Sequence, residues 1–590
     1  MRFASPALAL ARRTLLTTWL ATVAVLAVAC GGGGGSDDAG DDDQTVQPGD
    51  TLIVSPATAT LTIANGAPVD QAYTATLHHE SGVEVDVTDR VTFAIQESAI
   101  GYVSGDTLTA TGAGRGTMTG TLEGIQGTAV VEVYRKDIRV EDPAPANAAD
   151  LFDAATDDPA RVATIVYPSD RTIVPQNLGD FDVHWTDGSG SDLFEVRMQT
   201  YYADVRVFVT GDASVGTWIA FLLAEWNVIA RSELSATITV SVRGLTQADP
   251  TTASHASIQV FTSREDIEGG IYYWTAASAG GSAVGIWRHD MGAADQPSES
   301  FYTQTEAGRC VACHALSRDG TKMAVTYDGG NGSSTVVDVA SRTAAIPPAT
   351  QYWNFAAFTP DASELLVATQ GTLTMRSPAD GSVIATVPTS GYASHPDVSP
   401  QGDMFAYVRV GTPGQDWHFT GGTISLMTYD QANHTFGPET PLVTSTENNY
   451  YPSFSPDGQW ILFNKSNNDA YDDPDAELWV VKTDGTVGPL KLDAANIGAG
   501  LTNSWARWAP FEGSFGQDAE RIYWLTFSSK RDFGVRLVGA GRPQIWMTPF
   551  FPDRAATGAD PTAPAFRLPF QDLNSSNHIA QWTERVVPVN

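Results

Sequence analysis

Between Asp50 and Tyr134 apolar side chains recur at every second position in short runs. Leu52-Ile-Val-Ser-Pro56, Tyr73-Thr-Ala-Thr-Leu77, Val91-Thr-Phe-Ala-Ile95 and Ala129-Val-Val-Glu-Val-Tyr134 are the clearest. Gly, Pro, Asn and Asp punctuate these runs about every ten residues, a spacing that predicts a small β-sandwich over residues 50–135. A second alternating set predicts another sandwich over 159–264, within which Leu222 to Arg231 fits a short helix or a strand pair equally well. The Pro/Ala/Asp-rich stretch from Asp142 to Asp150 places a linker at 136–158.

From residue 265 to the end the pattern repeats. A polar or aromatic lead-in, a variant of Ser-Pro-Asp-Gly and a hydrophobic strand recur five times. Ser317, Thr359, Ser399, Ser455 and Ala509 hold the same place, at intervals of about 40 to 56 residues. That period, with about four strands per unit, predicts a β-propeller. Gly270-Ile-Tyr-Tyr-Trp274 and Gly285-Ile-Trp-Arg288 read as outer strands of a further blade, which the segment around Phe566 to Trp582 would complete. The expected fold class is all-β, two sandwiches followed by a six-bladed propeller.

Four resemblances attach to these segments. "SPATATLTIANG", "VTFAIQESAIGYVSGDTLTATGAGRGTMTGT" and "GTAVVEVYR" resemble the bacterial Ig-like group 2 domain, which implies a spacer or adhesive module. "VYPSDRTIVPQNLGDFDVHWTD" and "ELSATITVSVRGL" resemble a fibronectin-III-like domain. The repeat grammar, with Ser455-Pro-Asp-Gly458 matching outright, resembles TolB-type (WD-like) propeller repeats. From about residue 160 the chain also looks like bacterial lipoproteins that embed C-x-x-C-H in such a propeller.

Residues 1–29 read as a signal peptide: Arg2, Arg12 and Arg13 precede an apolar run from Leu15 to Ala29. Cys30 follows at a site that resembles a lipoprotein cleavage point, which implies lipidation of Cys30; Ala27-Val-Ala29 also satisfies an ordinary A-x-A site. Residues 30–49, rich in Gly, Ser and Asp, would then be the tether. These features place the protein outside the cytoplasm, as an outer-membrane or periplasm-facing lipoprotein of a Gram-negative envelope, held to the membrane by its N-terminal lipid.

The chain has three cysteines, and two of them stand in Cys310-Val-Ala-Cys313-His314. C-x-x-C-H is the attachment signature of c-type haem. It implies one covalent haem c on Cys310 and Cys313, with His314 as proximal iron ligand. A C-x-x-C redox disulfide normally opens a helix, whereas here a repeat strand follows. Zinc would need further ligands at suitable spacing. The register of the repeats aligns Cys313 with Phe355, His395, Tyr451 and Trp505, so three aromatics and a histidine should ring the same end of the propeller. His395 is thereby a candidate distal ligand, with His578, Met323, Met404 and His418 as rivals. The acidic stretch Asn467 to Asp475 offers oxygen ligands for Ca2+ but lacks the spacing of a defined calcium loop, and a solvated hairpin accounts for it.

The formal net charge of −34 argues against nucleic acid as a partner. No nucleophile elbow, phosphate loop or metalloprotease pair is present. Electron transfer to a redox partner protein at the cell envelope is the expected role. A binding scaffold, with protein or glycan contacts through the sandwiches, and a haem enzyme with an open iron site stay as alternatives.

Overall fold

The computed structural model describes residues 45–276, 283–293, 296–330, 332–498 and 500–589. The expected signal peptide, the lipidation site Cys30 and most of the tether lie outside the described residues. The described chain is all-β apart from four short α-helices and a few 3-10 turns.

Residues 51–140 fold around a core of Val54, Ile63, Tyr73, Leu77, Leu108, Met118 and Val131. The alternation seen in the sequence is what buries them: in Thr58–Ala64 every second residue is buried and the rest face solvent. The strand Ile125–Val140 runs beyond this core. Its second half, Arg135 to Val140, pairs in parallel with Ala203 to Phe208 of the next unit, so one sheet continues through both. The stretch 136–158, expected as linker, therefore differs. Residues 136–140 are strand, and Ala148–Ala154 form a helix that buries Ala148 and Phe152 against Leu193, Phe208 and Leu245. The apolar faces of this short segment were masked by its Pro, Ala and Asp content. The ambiguous segment is helix over Leu223–Ile229, with Trp226 fully buried and stacked on Phe181 at 4.3 Å.

Among the described residues, the remainder forms six sheets of four or five strands and a two-stranded ribbon, Thr412–Pro413 with Phe419–Thr420. Their innermost strands touch in turn around a central axis: Val311–Leu316, Phe355–Phe358, Ala393–Val398, Asn448–Phe454, Ser504–Phe515 and Ser576–Thr583, the last returning to the first. This is a β-propeller. The C-terminal strand Ser576–Thr583 pairs with Gly270–Ala276, so the end of the chain supplies the innermost strand of the first sheet and closes the ring. Phe566–Arg567 instead forms the outer strand of the preceding sheet.

The repeated hydroxyl has a visible purpose. Ser455 Oγ donates to Asp457 Oδ1 (2.5 Å) and accepts the Trp460 N–H (2.9 Å), tying both ends of the turn between the first two strands. Ser317 and Ser399 do the same, and Thr359 serves in the second repeat. Ala509 has no hydroxyl, and there the strand runs on to Phe515 after a register shift. The middle unit packs on the propeller through a shared core that joins Trp185 and Trp226 to Tyr273, Trp524 and Phe551.

Candidate functional site

The C-x-x-C-H segment enters the propeller from a short helix, Gln304–Ala307, started by a Thr303/Glu306 capping box and stopped by Gly308 at φ 67°. Arg309 pairs with Asp328, and the Asp328 N–H donates to the Cys310 carbonyl (3.0 Å), which pins Cys310 at the rim. The Trp274 indole N–H donates to the Val311 carbonyl (2.7 Å). Beyond this point the strand is bulged: Val311 pairs with Tyr327 and His314 with Val325, so Ala312 and Cys313 together face a single partner position.

The same break recurs in four other sheets, between Ser394 and Asp397, Tyr450 and Ser453, Ser504 and Arg507, and within Ser576–Thr583. In these four the bulged residue has left-handed backbone: His395 (φ 47°), Tyr451 (51°), Trp505 (53°) and Ile579 (59°). Bulky side chains rarely tolerate that conformation, and only the surrounding packing holds them there. The bulge turns each of them toward the axis.

Cys313, Phe355, Tyr451, Trp505 and Ile579 thus meet in one cluster, which the His395 ring joins through Phe355 and Tyr451. His395 stacks on Tyr451 (4.1 Å), Tyr451 on Trp505 (4.3 Å), and Phe355 meets His395 edge-on (4.3 Å). The rings spend their faces on one another and plug the axis. Ile579 is the member that the repeat pattern did not reveal, because its strand lacks the Ser-Pro-Asp-Gly signal.

The plug separates two spaces. Outside it lies a cavity of about 220 Å³ bordered by Cys310, Cys313 and His578 and walled by Trp274, Phe355, Trp417, Trp505 and Ile579. Trp417 reaches this wall from an insertion in the third repeat. It lies so close to Gly330 that a Cβ there would sit 2.0 Å from the indole. Deeper along the axis is a void of about 20 Å³ lined by His314, His395 and Tyr451 among others.

The structure therefore divides the residues singled out from the sequence. Cys310 is exposed, Cys313 partly buried, and both border the outer cavity. His314 is buried on the other side of its strand, where Nε2 donates to the Tyr272 carbonyl (3.3 Å) and Nδ1 has no partner. His395 also faces the inner void; its Nδ1 accepts the Tyr451 N–H (3.4 Å), and Nε2 is buried without a partner. Met323 is in the core between sheets, Met404 packs at the edge of the central cluster, and His418 pairs with Asp469 (2.5 Å). His578 alone of these histidines reaches the outer cavity. Its ring meets Trp274 edge-on at 4.7 Å. In the acidic hairpin, Asp473 accepts the N–H groups of Asn468 and Asp475, and Asp472 pairs with Lys530.

Burial dominates the electrostatics. It lowers His314 to about 4 and His578 to about 3, with the neighbouring His314 adding to the latter, and it holds His395 well below its ordinary range. All three rings are neutral at pH 7. Burial raises the Cys313 thiol to about 11, the opposite of the depressed thiol of a C-x-x-C oxidoreductase.

No family model and no curated protein matches this chain. Solved structures that resemble parts of it include hydrazine synthase from Kuenenia stuttgartiensis, with a TM-score of 0.28 and 15% identity over 45% of this chain and 67% of that one. A TolB structure from Agrobacterium tumefaciens gives 0.29 and 14% over 53% and 98%. TolB from Acinetobacter baumannii gives 0.34 and 12% over 58% and 79%. Scores of this size carry no argument, and the propeller rests on its own strand pairing.

Proposed function

We propose that this chain is an exported, lipid-anchored haem c protein that transfers electrons at the cell envelope. In this reading Ig-like and fibronectin-III-like sandwiches form a stalk, and a six-bladed propeller carries one haem on Cys310 and Cys313. The observation that carries it is the placing of both motif thiols on the rim of one aromatic-walled cavity. Thioether bonds need two accessible thiols, and a flat apolar macrocycle needs such walls. The thiols and the walls fit the group; His314, turned inward onto the Tyr272 carbonyl, does not. A haem held there supplies a one-electron iron couple.

The cavity is smaller than the roughly 300–1,000 Å³ of most small-molecule sites, so the macrocycle would extend past the rim at exposed Cys310. An exposed haem edge suits transfer to a partner protein. The acidic chain favours partners with a basic docking face.

A second reading, an open iron site for small molecules, is favoured by the polar group of Tyr471 at the cavity. Carbon monoxide titration of the reduced holo-protein separates the two. An unchanged spectrum supports electron transfer, and a shifted Soret band supports the open site.

A further inference from the structure

We propose that the cleft between the middle unit and the propeller binds a small organic carboxylate, with Arg531 receiving the charged head and an aliphatic wall the apolar body. The cleft shares no lining residue with the cavity at Cys310 and Cys313, and the proposal stands whatever those thiols carry.

The cleft has a volume of about 530 Å³, within the roughly 300–1,000 Å³ of most small-molecule sites. Val166 and Ser169 border it from the middle unit, and Ile497, Arg531 and Trp546 from the propeller, so both units are needed to form it.

Arg531 stands just past the strand Glu520–Ser529, and its guanidinium is held in place. Nε donates to Ser529 Oγ (3.0 Å), and Nη2 donates to the Ala495 carbonyl (2.8 Å) and to Asn503 Oδ1 (3.1 Å). The guanidinium also lies over the Phe527 and Trp546 rings, at 5.0 and 5.2 Å. All of these partners are neutral. Asp and Glu outnumber Lys and Arg by 68 to 34 in the chain, yet Arg531 forms no ion pair among the described residues, and Nη1 has no hydrogen-bond partner among them. Burial lowers the guanidinium to about 9 with no carboxylate opposing it. A desolvated cation without a countercharge is costly. A carboxylate on Nη1 would supply that countercharge through charge-assisted hydrogen bonds.

The neighbouring charges do not meet this need. Lys530 is spent on Asp472 (2.6 Å). Asp532, an exposed carboxylate in the lining, turns Oδ1 onto the Gly539 N–H (2.7 Å). The rest of the wall selects the body of the ligand. Val166 and Ile497 are 40% and 59% exposed and border the same cleft. A bare inorganic anion would leave these side chains in water, whereas an acid with an aliphatic or aromatic body covers them.

The test titrates the full chain with octanoate by calorimetry, beside octan-1-ol and inorganic phosphate. The octanoate titration is repeated on Arg531→Met, which keeps an unbranched stem against Phe527 and Trp546, and on Ile497→Glu, which sets a negative charge at an exposed position of the wall. The expected result is saturable binding of octanoate, with octan-1-ol and phosphate about tenfold weaker or more, and a loss of about tenfold or more in each variant. Absence of octanoate binding by the parent overturns the proposal. So does octan-1-ol or phosphate binding as tightly as octanoate, or parent-like octanoate binding by either folded variant. If Arg531→Met does not fold, Ile497→Glu, which disturbs no core contact, decides by itself.

Discussion

His395 and Tyr451 are joined twice: their rings stack at 4.1 Å, and the Tyr451 backbone N–H donates to His395 Nδ1 at 3.4 Å. Both have left-handed backbone, and both belong to the plug that closes the axis. Ring packing is therefore the main contribution of His395, and the single hydrogen bond is minor. His395→Ala should lower stability by about 3 kcal/mol, as a large core truncation does. His395→Phe keeps the stack and removes the buried, unpartnered Nε2–H, offsetting the lost acceptor, and should stay within about 1 kcal/mol of the parent. Denaturant melts followed by far-ultraviolet circular dichroism measure both.

The two orphan nitrogens next to the inner void are complementary. His314 donates through Nε2, so its Nδ1 is a free acceptor; His395 accepts on Nδ1, so its Nε2–H is a free donor. Both line a void of about 20 Å³, enough for one water. A crystal structure should show a single ordered water bridging them, and His395→Phe should remove it. An empty void in well-defined density contradicts this.

Acid should destabilise the fold through its buried histidines. His289, stacked on Phe570 at 4.0 Å, has its value lowered to about 4 by burial. Its folded value lies below the unfolded one near 6.5, so between those values the unfolded chain binds the proton and stability falls as pH falls. The contribution is present in full above about pH 6.5 and is lost progressively toward pH 4. His289→Phe should lessen the stability lost between pH 7 and pH 5 by about 2 kcal/mol, read from denaturant midpoints at the two pH values.

Much of the propeller was legible because its turn signal is chemical: a hydroxyl and a carboxylate close each first hairpin, so Ser317, Thr359, Ser399 and Ser455 announce the register. That register correctly aligned Cys313 with Phe355, His395, Tyr451 and Trp505. Ile579 escaped because the closing strand pairs with residues some three hundred positions earlier and carries no such turn. Which way the histidines face was not legible either. It depends on the bulge at Ala312–Cys313 and on a carbonyl, Tyr272, that only the folded ring brings beside His314. The spacing C-x-x-C-H reports which residues are present, whereas in a strand Cys313 and His314 point to opposite sides.

Asp416 shows how the insertion in the third repeat is held. In the fold the buried carboxylate accepts the N–H groups of Gln370 (2.8 Å) and Gly371 (3.0 Å), the Tyr392 hydroxyl (2.7 Å) and the Asn354 amide. Asp416→Ala leaves these donors unpaired and should cost about 3 kcal/mol. Denaturant melts of the variant beside the parent measure it; wild-type stability would contradict that role.

The proposed role depends on a covalent haem held by Cys310 and Cys313 at the propeller mouth. The most direct measurement is made on the chain co-expressed with haem-maturation machinery and denatured on a gel, parent beside Cys310→Ala and Cys310→Ala/Cys313→Ala. Haem peroxidase stain and a c-type absorption spectrum are expected in the parent, a weakened stain in the single variant and none in the double. A parent chain that emerges folded and free of covalent haem would contradict it.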